Sequence, residues 1–184
     1  MRVIAGSQKG RTLKSVPGKG TRPTTDKVKE AMFNMIGPYF SDGAGLDLFA
    51  GSGALGLEGL SRGLEKVVFC DVSRKALAVL RENLTLCNLT DRAEVYRLDW
   101  KKALQKLKGR EFSVIWLDPP YENDVYIKVL ETVACTGLLA PDGVIVCEHA
   151  ANLPLPDQVE TFVRRKNAKY GTIGLSIYED KEEW

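Results

Sequence analysis

The stretch Leu46-Asp-Leu-Phe-Ala-Gly-Ser-Gly-Ala-Leu-Gly56 decides the fold. Its first five residues are an apolar run broken by one acid, Asp47, and read as a β-strand. The run stops at Gly51-Ser52-Gly53-Ala54-Leu55-Gly56, a G-x-G-x-x-G turn that opens a helix. Glycines there permit a sharp reversal and let a ligand approach the backbone where the helix begins. Alone, the turn suits a nicotinamide or flavin dinucleotide as well as any other nucleotide-like cofactor, and equally a tight turn with no ligand.

Outward from this stretch, strands and helices alternate. The helix after the turn runs to about Arg62, with Gly63 past its end. A second strand over 66–71 ends at Asp71, and Ser73 caps a helix carrying Ala76, Leu77, Leu80, Leu84 and Cys87. A third strand over 93–98 ends at Asp99, and a short helix follows over 101–107. A fourth strand over 112–117 ends at Asp118, before a helix over 125–134 and a fifth strand over 143–148. Two last strands, 159–166 and 172–178, pair around Lys169-Tyr170-Gly171. Upstream, Val28, Ala31, Met32, Met35 and Ile36 mark one helix face, capped by Thr24 or Thr25 and stopped by Gly37-Pro38. The pattern predicts an α/β fold, a mostly parallel sheet of seven strands with helices on both faces. Composition shifts near residue 40, dividing a basic N-terminal arm and helix (1–40) from the α/β domain (41–184).

Open sheets of this kind bind ligands at the carboxyl ends of their strands. Asp71 is placed there to accept ribose hydroxyls, and Asp99 to accept from an adenine amino group. Asp47 faces either the loop backbone or a cationic part of the cofactor. The fourth strand ends in Asp118-Pro119-Pro120-Tyr121. Two prolines remove two backbone donors and leave carbonyls that only accept, beside a carboxylate that also accepts and a ring that stacks. Such a corner suits a planar base bearing an amino group. The amine would donate to the Asp118 carboxylate and the Pro119 carbonyl while its lone pair meets a methyl donor, so that catalysis is mostly positioning. A dinucleotide enzyme has no use for this corner, and the cofactor it points to is S-adenosylmethionine. Carbon methylation of cytosine would require a cysteine nucleophile nearby, and none is adjacent in sequence. A base held inside structured nucleic acid would have to be turned out to reach the corner.

With 44% apolar and 27% charged residues in 184, the chain suits one ordinary core and not a disordered segment. No apolar stretch approaches the ~20 residues of a membrane span, and the opening Met1-Arg-Val-Ile-Ala-Gly-Ser lacks the run of a signal peptide. The expectation is a cytoplasmic protein with no membrane contact. Cys70, Cys87, Cys135 and Cys147 are widely spaced and read as reduced thiols, and a single histidine, His149, argues against a metal centre or a Ser-His-Asp triad. Proton chemistry falls to carboxylates or water. The net charge of +2 conceals eight bases against two acids in residues 1–40, +6, which leaves −4 on the rest. A basic arm of this kind reads as a polyanion contact or as a solvated tail.

The chain resembles the bacterial small-subunit ribosomal RNA guanine-N2 methyltransferases of the RsmD type nearly end to end. The resemblance rests on Arg2-Val-Ile-Ala-Gly6, Lys9-Gly-Arg11, Arg22-Pro-Thr24 with Asp26 and Lys29-Glu30, Asp47 through Gly56, and Ser61-Arg-Gly63. It continues through Glu82-Asn83-Leu84 with Asn88, Asp118-Pro-Pro-Tyr121, Glu148 and Lys169-Tyr-Gly171. It implies a Rossmann-like class I methyltransferase fold, S-adenosylmethionine as donor, and one guanine of 16S rRNA as target within a partly assembled 30S subunit. The expected cofactor-binding residues are Asp47, Phe49, Gly51, Ser52, Gly53, Asp71, Val72, Asp99, Trp100 and Asp118. Asp118, Pro119 and Tyr121 are expected to hold the base, and Arg2, Lys9, Arg11, Arg22, Thr24 and Lys27 to contact RNA, in a monomer without a metal. Many relatives carry Glu where this chain has Asp71. The alternatives are an N6-adenine or other-guanine methyltransferase acting on DNA, tRNA or 23S rRNA, a nicotinamide-dependent oxidoreductase, and a non-catalytic RNA-binding assembly factor.

Overall fold

The structure is a computed structural model that describes residues 1–18, 24–120 and 123–181. Its strands are β1 (Ala44–Asp47), β2 (Lys66–Asp71), β3 (Ala93–Arg97), β4 (Phe112–Leu117), β5 (Leu139–Ala150), β6 (Gln158–Val159), β7 (Phe162–Tyr170) and β8 (Ile173–Asp180). Its α-helices are α1 (Asp26–Ile36), α2 (Ala54–Ser61), α3 (Arg74–Leu86), α4 (Trp100–Lys106) and α5 (Asn123–Thr136).

The strands form one sheet in the order β3-β2-β1-β4-β5-β8-β7-β6. The neighbours from β3 to β5 are parallel, and β8 inserts antiparallel between β5 and β7. The chain starts in the middle with β1, steps outward to β3, then returns to β4 on the other side. That reversal between β1 and β4 is the switch point where a crevice opens above an α/β sheet. Apolar residues of α1, α2 and α3 cover one face, and those of α4 and α5 cover the other.

The sheet has eight strands, one more than the pattern predicts. The expected strand over 159–166 is two strands, because Glu160 takes a left-handed φ of 52° and turns the chain between Val159 and Phe162. β7 then runs on to Tyr170 and meets β8 across a tight turn at Gly171 and Thr172. β1 ends at Asp47, three residues earlier than expected, because 48–53 already form the turn. β5 is longer than expected at 12 residues, with a register shift beside Phe112 and Val114.

The basic arm is built into the fold. Val3 and Leu13 are buried in the same cluster as α1, α2 and α3, so the division near residue 40 is one of charge and composition while the core crosses it. Glu58, fully buried on α2, accepts from the backbone amides of Ile4 and Ala5 and pairs with Arg62 at 2.9 Å and Lys29 at 3.3 Å. Burial pushes the Lys29 ammonium below its ordinary range, against the pull of the Glu58 carboxylate. On the other side of the arm, Asn83 of α3 accepts from the Lys14 amide at 2.8 Å and donates to the carbonyls of Lys14 and Ser52. One buried amide therefore fastens the arm to the glycine turn.

Candidate active site

A cavity of about 1420 Å³ runs along the carboxyl edge of the sheet. It joins the turn after β1, the ends of β2, β3, β4 and β5, and residues 15–18 of the arm.

The three glycines of the turn have separate duties. Gly51, with φ 56°, lines the cavity, and a Cβ placed on it would meet nothing within 4 Å. Gly53, with φ 86°, has no room on its inner side, where a Cβ would lie 2.1 Å from Leu80 of α3. Gly56 lets α2 rest on β2, since its Cβ would fall 2.3 Å from the Phe69 ring. Gly51 and Ser52 thus face the cavity, and Gly53 acts through packing.

Asp71 at the end of β2 accepts from the amides of Gly51 and Ser73, both at 2.8 Å, and so ties the glycine turn to the start of α3. A carboxylate keeps further lone pairs for ligand hydroxyls after two such bonds. Asp99 caps α4 through the Lys102 amide at 2.9 Å. Val72, 60% exposed, and Trp100 follow these two acids and line the cavity, giving apolar surface for a flat ring. Phe49 lines it as well. Asp47 is buried and accepts from the Gly56 amide at 3.1 Å, so it faces the loop backbone while still lining the cavity. Burial pushes its carboxyl up to about 7, with the Asp71 and Glu148 charges adding to the rise.

Asp118, Pro119 and Pro120 line the far part of the cavity. Tyr121, expected at the base, and Arg22, expected on RNA, lie outside the described residues. Beside the corner stand Glu148, Thr24 and Tyr126. The Thr24 hydroxyl donates to Glu148 Oε2 at 2.7 Å, and the Tyr126 hydroxyl to the Glu148 carbonyl at 2.6 Å. Burial, and then the Asp118 charge, raise the Tyr126 phenol, which stays protonated. His149 also lines the cavity. Its Nδ1 faces the Ala150 carbonyl and must donate, so its Nε2 accepts from the Ser176 hydroxyl in the neutral ring that burial favours. Its lone pair is therefore committed.

Five carboxylates, Asp47, Asp71, Asp99, Asp118 and Glu148, line the cavity, and no Lys or Arg does among the described residues. Among the described RNA candidates only Thr24 lines it, buried in its wall. Lys9, Arg11 and Lys27 are exposed, and Arg2 is exposed but pairs with Asp26 at 2.8 Å. No group of three or more potential metal ligands occurs among the described residues. Cys70, Cys87 and Cys147 are buried free thiols, and Cys135 is exposed.

Sequence reading passed over Tyr126 as an ordinary helix residue and gave Glu148 no role. Glu148 follows the apolar run of β5 as Asp118 follows that of β4, and this was the available signal.

This strand order, with a glycine turn after β1 and an Asp-Pro-Pro corner after β4, defines a class I methyltransferase. The family model "Conserved hypothetical protein 95" matches residues 1–179. The chain is 49% identical over 183 residues to the Bacillus subtilis "Putative rRNA methyltransferase YlbH", covering 98% of this chain and all of that one. It is 34% identical to the Haemophilus influenzae Ribosomal RNA small subunit methyltransferase D, covering 98% of this chain and 94% of the relative. The solved structure of Escherichia coli yhhF superposes with a TM-score of 0.86 at 29% identity, covering 98% of each chain. The chain belongs to the small-subunit ribosomal RNA methyltransferase D family.

Proposed function

We propose that the protein transfers a methyl group from S-adenosylmethionine to the exocyclic N2 amine of a guanine in 16S rRNA, within a partly assembled 30S subunit, as a cytoplasmic monomer. The observation that carries this reading is the single cavity joining the glycine turn to the Asp118-Pro119-Pro120 corner.

The residues present fit the donor. S-adenosylmethionine, which supplies an electrophilic sulfonium methyl when bound, carries a net positive charge, and the cavity is lined with acids. Open space above Gly51 admits a ligand against the backbone, Asp71 keeps capacity for ribose hydroxyls, and Val72 and Trp100 flank room for adenine. At the other end, Asp118 and the Pro119 carbonyl accept from the two amine hydrogens, which localises the nitrogen lone pair and orients it toward the donor. Tyr121 would stack on the base. Arg22 joins Lys9, Arg11 and Lys27 in holding phosphates, so affinity for RNA falls steeply with salt. The substrate reading draws on the relatives' small-subunit rRNA activity and on the corner's preference for amines.

The test offers labelled S-adenosylmethionine with 30S subunits lacking small-subunit rRNA methylation, naked 16S rRNA, tRNA and duplex DNA. Label recovered as N2-methylguanosine from 16S rRNA is expected. Label in adenine, or only in tRNA or DNA, would overturn the substrate assignment.

A further inference from the structure

Asp118 and the Pro119 carbonyl both accept, and an exocyclic amine on adenine offers them the same two hydrogens as one on guanine. The corner alone cannot choose between the two bases. The choice must come from a group that meets the ring edge beside the amine.

Glu148 stands in that place. Leu117 and Cys147 are register partners on the parallel strands β4 and β5. The residues that follow them, Asp118 just past the end of β4 and Glu148 within β5, stand at the carboxyl ends of two neighbouring strands, which lie about 4.8 Å apart. Both line the cavity. Glu148 is only 7% exposed, and it is held from two sides, by the Thr24 hydroxyl on its carboxylate and by the Tyr126 hydroxyl on its backbone carbonyl. A carboxylate accepts at about four lone-pair positions, and the bond from Thr24 takes one of them.

We infer that Glu148 is the base-selecting residue, its carboxylate accepting the ring N1–H of the guanine whose N2 amine is held by Asp118 and Pro119. The inference rests on the guanine reading above. Guanine presents N1–H and N2–H₂ as adjacent donors, which two neighbouring carboxylates can receive together. Adenine presents its amine next to an unprotonated N1, which would set a lone pair against the lone pairs of a carboxylate oxygen. A site built to receive a donor rejects an analogue lacking it more strongly than any loss of apolar contact would. Thr24 and Tyr126 act as positioning residues that fix the carboxylate against this edge.

The probe that lacks N1–H is 2,6-diaminopurine, which keeps the 2-amine of guanine, has an unprotonated N1 and carries a 6-amine in place of O6; the Glu148→Gln arm separates the N1 contribution from that of position 6. The substrates are 30S subunits reconstituted with 16S rRNA carrying guanosine or 2,6-diaminopurine at the position the wild-type enzyme labels. Wild type is expected to prefer guanosine by about 10²-fold or more in kcat/KM. Glu148→Gln can turn an amide N–H toward the unprotonated N1, and the preference should shrink to about 10-fold or less. Equal use of both bases by the wild type would overturn the inference without any variant. So would a Glu148→Gln enzyme that is slower on both bases with an unchanged ratio, since Glu148 would then only hold Thr24. Absence of N2 label from wild type on guanosine would overturn the guanine reading itself, a separate result that removes the role with it.

Discussion

Asp47→Asn tests the electrostatics of the site through stability. Asp47 is 2% exposed at the end of β1, with the Gly56 amide as its hydrogen-bond donor and two other acids adding repulsion. Its carboxyl is raised from 3.8 to about 7 in the folded protein. Between these values the unfolded chain has lost the proton that the folded protein keeps. The contribution of Asp47 to stability must therefore fall as pH climbs from about 4 to about 7, and level off above. At about 1.4 kcal/mol for each pH unit, the full penalty above pH 7 is on the order of 4 kcal/mol. An asparagine presents the same acceptor to Gly56 and cannot ionise, so the variant should gain on the wild type with rising pH by up to that amount. Urea unfolding of both proteins at pH 5, 6, 7 and 8 measures the difference, in which titrating groups remote from Asp47 cancel, and the gain across this window should be about 2 to 3 kcal/mol. A difference that stays constant across this range would refute the reasoning.

Glu58→Ala strands the Lys29 ammonium and the Arg62 guanidinium in the core and should cost about 3 to 5 kcal/mol in urea unfolding. Hydrogen exchange at the Ile4 and Ala5 amides should quicken, and unchanged protection there would contradict the anchoring of the arm. Asn83→Ala removes three hydrogen bonds at once and should cost at least about 3 kcal/mol, at ~1 to 3 kcal/mol for each group left without a partner. The same variant should weaken S-adenosylhomocysteine binding in calorimetry, because Ser52 of the glycine turn loses its support. Gly53→Ala should lower stability by about 1 to 3 kcal/mol through overpacking against Leu80, on top of about 1 to 2 kcal/mol of backbone strain at its positive φ. Gly51→Ala, which meets open space, should cost only about 1 to 2 kcal/mol of backbone strain and lose more in ligand affinity. Equal behaviour of the two variants in both assays would contradict their separate duties.

The parallel half of the fold was legible because its inner strands are apolar runs that stop at an acid or a glycine, with helices between them that carry either one apolar face or, in α2, small and apolar residues on every side. The strand at Gln158–Val159 was not, since a two-residue strand has no period of its own and the turn at Glu160 uses an ordinary residue in a left-handed conformation. The order of the arm was hidden for a similar reason. Glu58 and Lys29 are charged residues on helices, which composition assigns to solvent, whereas their mutual pairing lets both be buried. At the site, Asp71, Asp99 and Asp118 were visible because each stands at or just past the carboxyl end of a strand. The contact from Thr24 to Glu148 spans 124 residues and belongs to the tertiary fold, so no local pattern announced it.

The most direct test of the central claim, that one cavity brings a methyl donor to an amine held at the Asp118 corner, is methyl transfer to 16S rRNA by wild type and Asp118→Ala, with S-adenosylhomocysteine binding measured on both. Loss of transfer by about 10³-fold or more, with binding retained, is the predicted result, since most of the rate comes from positioning. Transfer by the variant at a rate near that of wild type would place the chemistry elsewhere on the molecule.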